Sequence, residues 1–478
     1  MNRSLALSLV AALISIILVA SFVAYELGFK NSSPPSSATP QPTIPSSATP
    51  QPTITPSASP EPTTTPDTPF GVLWQSPIEH FANSFTVDEG KVFTIDETGD
   101  LYCFDSQNGM SLWNSTAGYY RSRGLVVSGS RVYAGFGGRR VGCLDKNTGV
   151  LHWIIKKETD EIFNESPQIR VKDGRLYATA DGVGAYDAIT GELLWQETFG
   201  RIVSLNGTWS VSGLTLYGDI VDGNCIYATA ATEGDYSRMY FLKLDTDNGG
   251  VIWRSIVTWD GTVITFGVRF VPSVLASSQG KIIIGNMWSG SSLLCLDSNT
   301  GKKLWSMDVG AAIYSPTVYN NLLLFSASDG YVYAVNFANG TVAWKTNVDT
   351  QNLFSVPDNY ASPSLYVDTQ NQRLFWSFGA KQVESGNYTG TLCSLDLAHG
   401  NVIWTRQIPT SSNGLVVNND KIFLTGGGLW IFNASTGDLV QSQQFDHYVL
   451  PPIVLGNRTF VVADLWLFAY GQSKETNA

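Results

Sequence analysis

Short apolar runs that end at an Asp or Asn recur along most of the chain. The runs at 101–104, 293–296 and 331–335 are apolar over four or five positions, a length typical of a strand rather than a helix. Another β-branched or aromatic run precedes each of them, as at 91–95 and 281–285, and in most units one more precedes that. The pattern predicts an all-β fold built of short strands, some of them buried on both faces.

Each of these runs leads into a string of the form Asp-x-x-x-Gly-x-x-x-Trp. With 45 glycines and 14 tryptophans in 478 residues, chance gives about one Gly-x-x-x-Trp pair (45 × 14 / 478), whereas seven occur in register. A further copy has Asn433 and Gly437 but carries Gln441 in place of the indole. The seven full strings are Asp105/Gly109/Trp113, Asp145/Gly149/Trp153, Asp187/Gly191/Trp195, Asp245/Gly249/Trp253, Asp297/Gly301/Trp305, Asn336/Gly340/Trp344 and Asp396/Gly400/Trp404.

The three residue types of the string have separate mechanical roles. The Asp or Asn side chain accepts hydrogen bonds from backbone N–H groups two or three residues further on and so fixes a turn. Glycine supplies the positive φ that a tight turn exit requires. We expect the Trp to be a wedge between neighbouring units that buries about 200 Å² and satisfies its indole N–H locally.

The spacing of the strings predicts a β-propeller. Successive Asp or Asn marks lie 37 to 60 residues apart, which suits one four-stranded blade per unit. Eight marked units, a pair of strands at 459–470 and an orphan strand at 72–75 imply that the two termini complete one shared blade. The strand count gives nine blades.

The repeat resembles the pyrroloquinoline-quinone-like (PQQ-like) propeller family, whose signature, close to Tyr-Ala-Leu-Asp-x-x-Thr-Gly-x-x-x-Trp, is called the tryptophan-docking motif. The nearest matches are 185–191 and 143–149, and the resemblance covers 70–471. It implies a closed propeller of eight blades, the usual number in the family, with nine as the alternative. Quinoprotein alcohol dehydrogenases and the lipoprotein scaffold of outer-membrane barrel assembly share this repeat, so the resemblance identifies a fold rather than an activity.

The amino-terminal segment predicts a membrane anchor. Residues 5–24 carry no charge and are long enough, at about 1.5 Å per residue, to span about 30 Å of hydrocarbon. Arg3 and the terminal amine precede this segment, whereas Glu26 and Lys30 cancel after it, which places the bulk of the chain outside the cytoplasm. We therefore expect a single-pass signal-anchor at 1–30 with its N-terminus inside; the alternative is a cleaved signal peptide.

Residues 31–69 are rich in Pro, Ser and Thr and repeat the ten residues 35–44 at 45–54. Such a segment favours polyproline II and predicts a stalk, either O-glycosylated or bare. The propeller is predicted at 70–471 and a disordered tail at 472–478. After the predicted anchor, eight Asn-x-Ser/Thr sequons further suggest a glycoprotein if the host modifies exported proteins; they begin at Asn31, Asn114, Asn164, Asn206, Asn339, Asn387, Asn433 and Asn457.

Charge and residue usage argue against several kinds of chemistry. A formal charge of −11, from 29 basic and 40 acidic residues, gives no support for nucleic-acid binding. The four histidines are scattered, which argues against a metal site. Residues 245–249 faintly resemble a calcium loop but lack the Glu at the twelfth position.

The five cysteines are expected to be free, buried thiols. A quinoprotein-type dehydrogenase is the enzyme alternative, and the resemblance implies that it would need pyrroloquinoline quinone, Ca²⁺, an Asp base and a pair of adjacent cysteines. The chain has no adjacent cysteines.

The long units carry the candidate binding residues. Their surplus residues lie at 200–222, 257–272 and 348–364, and long connections on a rigid scaffold often bind partners. Aromatic side chains with one Arg suit a protein or glycan surface; alternatively these loops cover their own blades. The candidate residues are Trp259, Arg269, Phe270, Phe354 and Tyr360.

The sequence therefore favours a membrane-tethered module at the cell surface, without catalytic residues, that binds an envelope or surface protein or a glycan. The alternatives are the dehydrogenase and a purely structural envelope component. No cofactor is expected in the favoured case.

Overall fold

The computed structural model describes residues 70–472 apart from internal segments. The segments outside the description are 117–123, 139, 156–167, 180–182, 198–201, 205–206, 210–219, 223–224, 233–234, 257, 260–261, 264–272, 286–291, 349–362, 382–387, 411 and 448. The predicted anchor and stalk lie outside the described residues, and so does the predicted tail apart from Gln472, which ends the last strand instead of beginning a disordered tail. Within the described part the chain forms strands and turns, and no helix there is long and apolar enough to cross a membrane.

In the described part of the chain, forty strands form nine four-stranded antiparallel sheets and two small hairpins. Blades 1 to 4 contain, in order, β2 Ala82–Asp88, β3 Lys91–Asp96, β4 Asp100–Asp105 and β5 Ser111–Thr116; β6 Leu125–Ser128, β7 Arg131–Phe136, β8 Arg140–Asp145 and β9 Leu151–Ile155; β10 Gln168–Lys172, β11 Arg175–Thr179, β12 Val183–Asp187 and β13 Leu193–Glu197; β16 Ile220–Asp222, β17 Cys225–Thr232, β18 Asp235–Asp245 and β19 Val251–Ile256.

Blades 5 to 8 repeat the same arrangement. They contain β22 Ser273–Ser278, β23 Lys281–Gly285, β24 Ser292–Asp297 and β25 Lys303–Asp308; β26 Ile313–Tyr319, β27 Leu322–Ala327, β28 Tyr331–Asn336 and β29 Val342–Asn347; β30 Ser364–Asp368, β31 Arg373–Lys381, β32 Tyr388–Asp396 and β33 Val402–Ile408; β34 Gly414–Asn418, β35 Lys421–Thr425, β36 Gly428–Asn433 and β37 Leu439–Gln444.

Blade 9 joins the two ends of the described chain. It contains β38 Ile453–Leu455, β39 Arg458–Ala463 and β40 Trp466–Gln472, and its outer strand is β1 Phe70–Pro77, which pairs antiparallel with β40. The prediction that both termini complete one blade is confirmed. The family-based preference for eight blades is wrong, because this shared blade is a complete sheet beside eight others and the ring has nine.

Two hairpins lie in the long connections, where the sequence predicted no strands. They are β14 Ile202–Ser204 with β15 Gly207–Trp209, before blade 4, and β20 Thr258–Trp259 with β21 Thr262–Val263, before blade 5.

The core of the ring lies between the blades. The third strands, such as β24 and β28, are buried over four consecutive residues, as their continuously apolar sequences predict. Apolar clusters fill eight of the nine interfaces, and the contact of Trp253 with the turn of blade 5 joins the ninth pair, blades 4 and 5. The first strands of neighbouring blades approach one another, so they line the centre of a closed ring.

Candidate functional site

The Asp turn forms as the sequence predicts. In blade 3, Asp187 Oδ1 accepts hydrogen bonds from the backbone N–H groups of Ile189 at 2.9 Å and Thr190 at 2.7 Å. The bond from Thr190, with that from Ile189, holds the pKa of the Asp187 carboxyl below its ordinary value. Gly191 ends the turn at φ +77°. The calcium-loop resemblance at 245–249 is the same turn, since Asp245 Oδ1 accepts the N–H of Asp247.

The indoles are wedges between blades, but their N–H groups are not satisfied within their own unit. Trp113 of blade 1 donates to the carbonyl oxygen of Lys146, in the Asp turn of blade 2, at 3.0 Å. The same bond recurs from Trp153 to Ile189, Trp195 to Thr246, Trp253 to Ser298, Trp305 to Phe337 and Trp404 to Ala434, at 2.8 to 3.3 Å. The expectation of a local partner is wrong, because the outer strand that carries each Trp reaches the next blade.

The glycine of each string receives the indole of the preceding blade. A Cβ on Gly149 would lie 2.5 Å from the Trp113 ring. The other seven glycines of the series would also bring a Cβ within 2.8 Å of an indole: Gly109 with Trp74, Gly191 with Trp153, Gly249 with Trp195, Gly301 with Trp253, Gly340 with Trp305, Gly400 with Trp344 and Gly437 with Trp404. Each glycine therefore provides the surface on which the indole of the preceding blade packs.

The glycines of the string have a second role besides the predicted one. The positive φ that the turn requires is confirmed, at +74° for Gly249, +68° for Gly301 and +76° for Gly340. An alanine at any of these three positions would also collide with the indole of the preceding blade, even if it could adopt that φ. The absence of a side chain thus serves the turn within one blade and the packing of the blade before it.

Blade 7 departs from this pattern. Trp344 of blade 6 packs against Gly400, but its buried indole nitrogen has no hydrogen-bond partner in the described structure. The hydroxyl group of Thr346, two residues later, donates to the carbonyl oxygen of Gly400 at 2.7 Å. This interface is therefore joined through the hydroxyl instead of the indole.

At several interfaces the carbonyl oxygen that accepts the indole N–H also accepts a hydrogen bond from an Arg or Lys side chain. The sequence analysis did not predict these cations. Arg373 Nη1 donates to the Ala434 oxygen at 3.0 Å, the same atom that accepts the Trp404 indole at 3.2 Å. The same sharing joins Arg175 with Trp195 on Thr246, Lys243 with Trp253 on Ser298, and Arg458 with Trp74 on Ser106. Lys or Arg at the start of most second strands was the available signal, which the sequence analysis did not use.

The buried side chain of Lys146 in blade 2 forms ion pairs with two more exposed carboxylates of blade 1. Its side chain is 4% exposed and contacts Asp88 and Glu89 at the end of β2, with Nζ 2.7 Å from Glu89 Oε2. Burial opposes the charge, but hydrogen bonds and attraction from the two carboxylates outweigh it and raise the pKa of Lys146. These ion pairs join the first turn of blade 1 to the Asp turn of blade 2.

The two faces of the ring carry different kinds of connection. The first-to-second and third-to-fourth strand turns of each blade, including all the Asp turns, lie on what we name the turn face. The second-to-third connections and those between blades lie on the opposite face, the loop face. The connections 198–219, 257–272 and 348–363 all join blades on the loop face. Both β1, which begins at Phe70, and β40, which ends at Gln472, have their terminal ends on the turn face.

The candidate binding residues belong to these loop-face connections, but their side chains are not described, so the structure does not test whether they form one surface. Trp259 is in β20, with no side-chain placement described. Arg269, Phe270, Phe354 and Tyr360 lie outside the described residues. Their grouping into one surface stays a prediction.

The thiols and histidines do not form a reactive cluster. All five cysteines are free; four are buried, as predicted, whereas Cys225 is only partly buried. Burial raises the pKa of Cys143 to about 11 and that of Cys103, Cys295 and Cys393 to about 12. Thiols with such pKa values are poor nucleophiles near neutral pH. Among the described residues, no group of three or more His, Cys, Asp or Glu side chains could hold a metal ion.

A family model described as "Outer membrane protein assembly factor BamB" matches residues 71–234, 242–410 and 388–473. The chain belongs to this family of PQQ-like propeller repeat proteins. The Yersinia pestis protein named outer membrane protein assembly factor BamB is 21% identical over 296 residues, which is 61% of this chain and 70% of that protein.

Proteins named as enzymes are also similar to this chain. Tetrathionate hydrolase of Acidithiobacillus ferrooxidans is 24% identical over 247 residues, 51% of this chain and 37% of the enzyme. Among solved structures, a europium-containing methanol dehydrogenase superposes with a TM-score of 0.50 at 13% identity, over 84% of this chain and 93% of that chain. At that identity the likeness shows the fold alone.

Proposed function

We propose that this protein is a membrane-tethered, extracytoplasmic scaffold that binds an envelope protein through the loop face of its propeller and catalyses no reaction. Relatives named as outer membrane protein assembly factors favour an envelope protein over a glycan as the partner. The N-terminal anchor, the stalk and the orientation are inferred from the sequence of residues 1–69.

The main support for the proposal is that the terminal ends of β1 and β40 lie on one face of the ring and the long connections lie on the other. The predicted stalk enters the ring at Phe70 on the turn face, whereas the connections that differ most in length between blades leave from the loop face. Attachment through the stalk therefore leaves the loop face free. Variable connections on a rigid scaffold are the usual site of recognition, so this face is the favoured surface for Trp259, Arg269, Phe270, Phe354 and Tyr360 to act together.

The residues present do not fit a quinoprotein site. The chain has no adjacent cysteine pair, and the Asp side chains of the repeat are separated one to a blade and engaged in their own turns. No observation favours the dehydrogenase hypothesis over the scaffold. Absorbance of bound quinone and dye reduction with alcohols, in full-length protein supplied with pyrroloquinoline quinone and Ca²⁺, would reverse this preference.

Location is tested by labelling intact cells with a membrane-impermeant maleimide. Asn108→Cys places an exposed thiol in the Asp turn of blade 1, while the unmodified protein reports background labelling of its own thiols. The proposal expects Asn108→Cys to be labelled in intact cells. Labelling only after lysis would place the propeller in the cytoplasm and overturn the proposal.

Binding is tested by replacing residues 351–361 with a Gly/Ser linker and cross-linking in intact cells. The replacement spares Val348 and Pro363, whose backbone N–H and carbonyl groups bond Gly330 and Ser315. A matched control replaces Gln107 and Asn108, on the turn face, with Ser. Loss of a cross-linked envelope protein in the loop-face variant alone supports the proposal, whereas no cross-linked protein in either variant or the parent contradicts it.

A further inference from the structure

The turn between β39 and β40 exposes two large apolar side chains on the loop face. Leu465 and Trp466 are each 38% exposed at the tip of this hairpin. The corresponding turns of other blades are polar or contain glycine, as at 97–99, 328–330 and 426–428. Adjacent exposed apolar side chains at a hairpin tip are candidates for contact with a partner.

The tip is held in one geometry by the connection before it. Asp464 adopts φ +50°, a turn conformation that Asp tolerates. Its carboxylate is fixed from the preceding connection, since Oδ1 accepts the backbone N–H of His447 at 2.8 Å and lies 3.3 Å from His447 Nδ1.

The next connection fastens the tip from its other side. The N–H of Ile78 donates to the carbonyl oxygen of Leu465 at 2.8 Å. The ring of Phe81, in the same connection, lies 4.6 Å from the ring of His447. Leu465 and Trp466 are thus presented on a fixed support, which lowers the entropy lost when they are buried in a complex.

The exposed groups beside the tip are apolar side chains, two carboxylates and the imidazoles of His80 and His447. Pro77 is exposed and pairs with Trp466 in the register of β1 and β40. Glu79 and Asp446, in the two connections that hold the tip, are exposed carboxylates, and neither segment 78–81 nor 445–448 contains Lys or Arg. An aromatic anchor within an acidic rim is complementary to an apolar pocket bordered by basic side chains.

We propose that Leu465 and Trp466 form an anchor that inserts into an aliphatic pocket, bordered by Lys or Arg, on a partner protein. The acidic rim disfavours an anionic lipid surface, since carboxylates and lipid phosphates repel. The anchor rests on the proposed scaffold function and adds a second contact point at blade 9, away from the connections before blades 4, 5 and 7. The anchor lies on the loop face, whereas the terminal ends of β1 and β40 lie on the turn face. Because the predicted stalk joins the ring at the turn face, we expect the anchor to be accessible.

The test places the photoreactive residue p-benzoylphenylalanine at His80, an exposed position beside the tip, in the full-length protein in its native membrane. Trp466→Ala and, as a second variant, Leu465→Ser should each lower the yield of the cross-linked protein at least tenfold. The matched control, Leu439→Ala, removes an aliphatic side chain of 52% exposure from the outer strand of blade 8 and should leave the yield unchanged. Glu79→Lys with Asp446→Lys should lower it at least fivefold, and mass spectrometry should find Lys or Arg flanking the cross-linked apolar segment.

Equal yields from Trp466→Ala and the parent would overturn the anchor, as would cross-linking to lipid or glycan, or to a segment without basic residues. These outcomes leave the scaffold proposal standing as long as the loop-face replacement at 351–361 still abolishes its own cross-link. Absence of protein cross-links from both His80 and the long connections would instead remove the scaffold function itself.

Discussion

The indole nitrogen of Trp74 lies 3.2 Å from the carbonyl oxygen of Ser106 and donates a hydrogen bond to it. These residues belong to the first strand of the described chain and to the Asp turn of blade 1, so the bond closes the ring. The hydroxyl group of Ser76 adds a second link, donating to the carbonyl oxygen of Gly109 at 2.6 Å. Trp74 is therefore the eighth docking indole.

Among the described residues, eight of the nine interfaces thus have an indole packed on a glycine, and seven of these indoles also donate a hydrogen bond across the interface. Gln441 occupies the corresponding position in blade 8, which faces blade 9. Blade 9 has no Asp turn, because its third and fourth strands, β40 and β1, come from opposite ends of the described chain. A Trp at Gln441 would find no glycine to pack against, and Phe70 and Phe445 join the aromatic cluster that fills this interface instead.

Gly149→Ala should destabilise the protein by about 2–4 kcal/mol, since its Cβ collides with Trp113 and a positive φ disfavours any Cβ. Gly129→Ala, in the same blade at φ +56° with no atom within 4 Å, is the control and should cost only about 1 kcal/mol. Denaturant unfolding measures both. Equal losses would mean that the indole does not need the glycine.

Trp74→Ala should lower the free energy of unfolding by about 3–5 kcal/mol, as for other large-to-small substitutions of packed aromatic residues. Gln441→Trp restores the missing indole of the series and should not stabilise the protein, because blade 9 offers no docking turn. Thermal unfolding compares the two variants. A marked stabilisation by Gln441→Trp would contradict this account of the blade 8 and blade 9 interface.

Arg373→Met should cost about 1.5–3 kcal/mol, the usual range for a hydrogen bond from a charged donor. Because Arg373 and Trp404 share the Ala434 oxygen, its effect should change when Trp404 is replaced by Phe. A double-mutant cycle on unfolding free energies measures this coupling. Strict additivity would show that the two donors act independently.

Stability should fall as the pH rises above about 9. Burial holds the pKa of Cys103 and Cys295 at about 12, whereas the thiols titrate near 8.5 to 9 once unfolded. Between pH 9 and 11 the folded thiols keep protons that the unfolded chain releases, so each lowers the unfolding free energy by about 1.4 kcal/mol per pH unit.

The variant Cys103→Ala with Cys295→Ala removes two of these groups. Ala185 and Ala334 occupy the same position in other blades, so alanine fits there. Its unfolding free energy should fall with pH less steeply than the parent's by about 2.7 kcal/mol per unit. Unfolding in reducing buffer from pH 8 to 10.5 measures the difference, and identical slopes would show that the thiols titrate normally in the fold.

The ring was predictable because its determinants are local and repeated. Asp187, Gly191 and Trp195 lie within nine residues of one another, and the orphan strand around Trp74 indicated the shared blade. The number of blades followed from counting strands, and the family's usual number misled. The position of each Trp between two units was predicted, but the hydrogen bond of its indole to the turn of the next blade was not, because that bond depends on how neighbouring sheets are placed in space.

The surfaces were harder to predict. The anchor at Leu465 and Trp466 is part of an apolar run that suggests only a strand, and its exposure depends on connections at His447 and Ile78 that are distant in sequence or belong to another blade. The one available signal was Asp464, a turn-favouring residue between two apolar runs.

Closure of the ring by strand β1 is tested most directly by a disulfide between β1 and β40, the two outer strands of blade 9. Gly71 and Gly471 are partners in the antiparallel register of β1 and β40, at a separation that a disulfide can span. Gly71→Cys with Gly471→Cys should form a disulfide on mild oxidation, found by mass spectrometry as a peptide joining residues 71 and 471, while neither single variant does. Free thiols at both positions in the oxidised native protein, with no such peptide, would contradict a nine-bladed ring closed by its first strand.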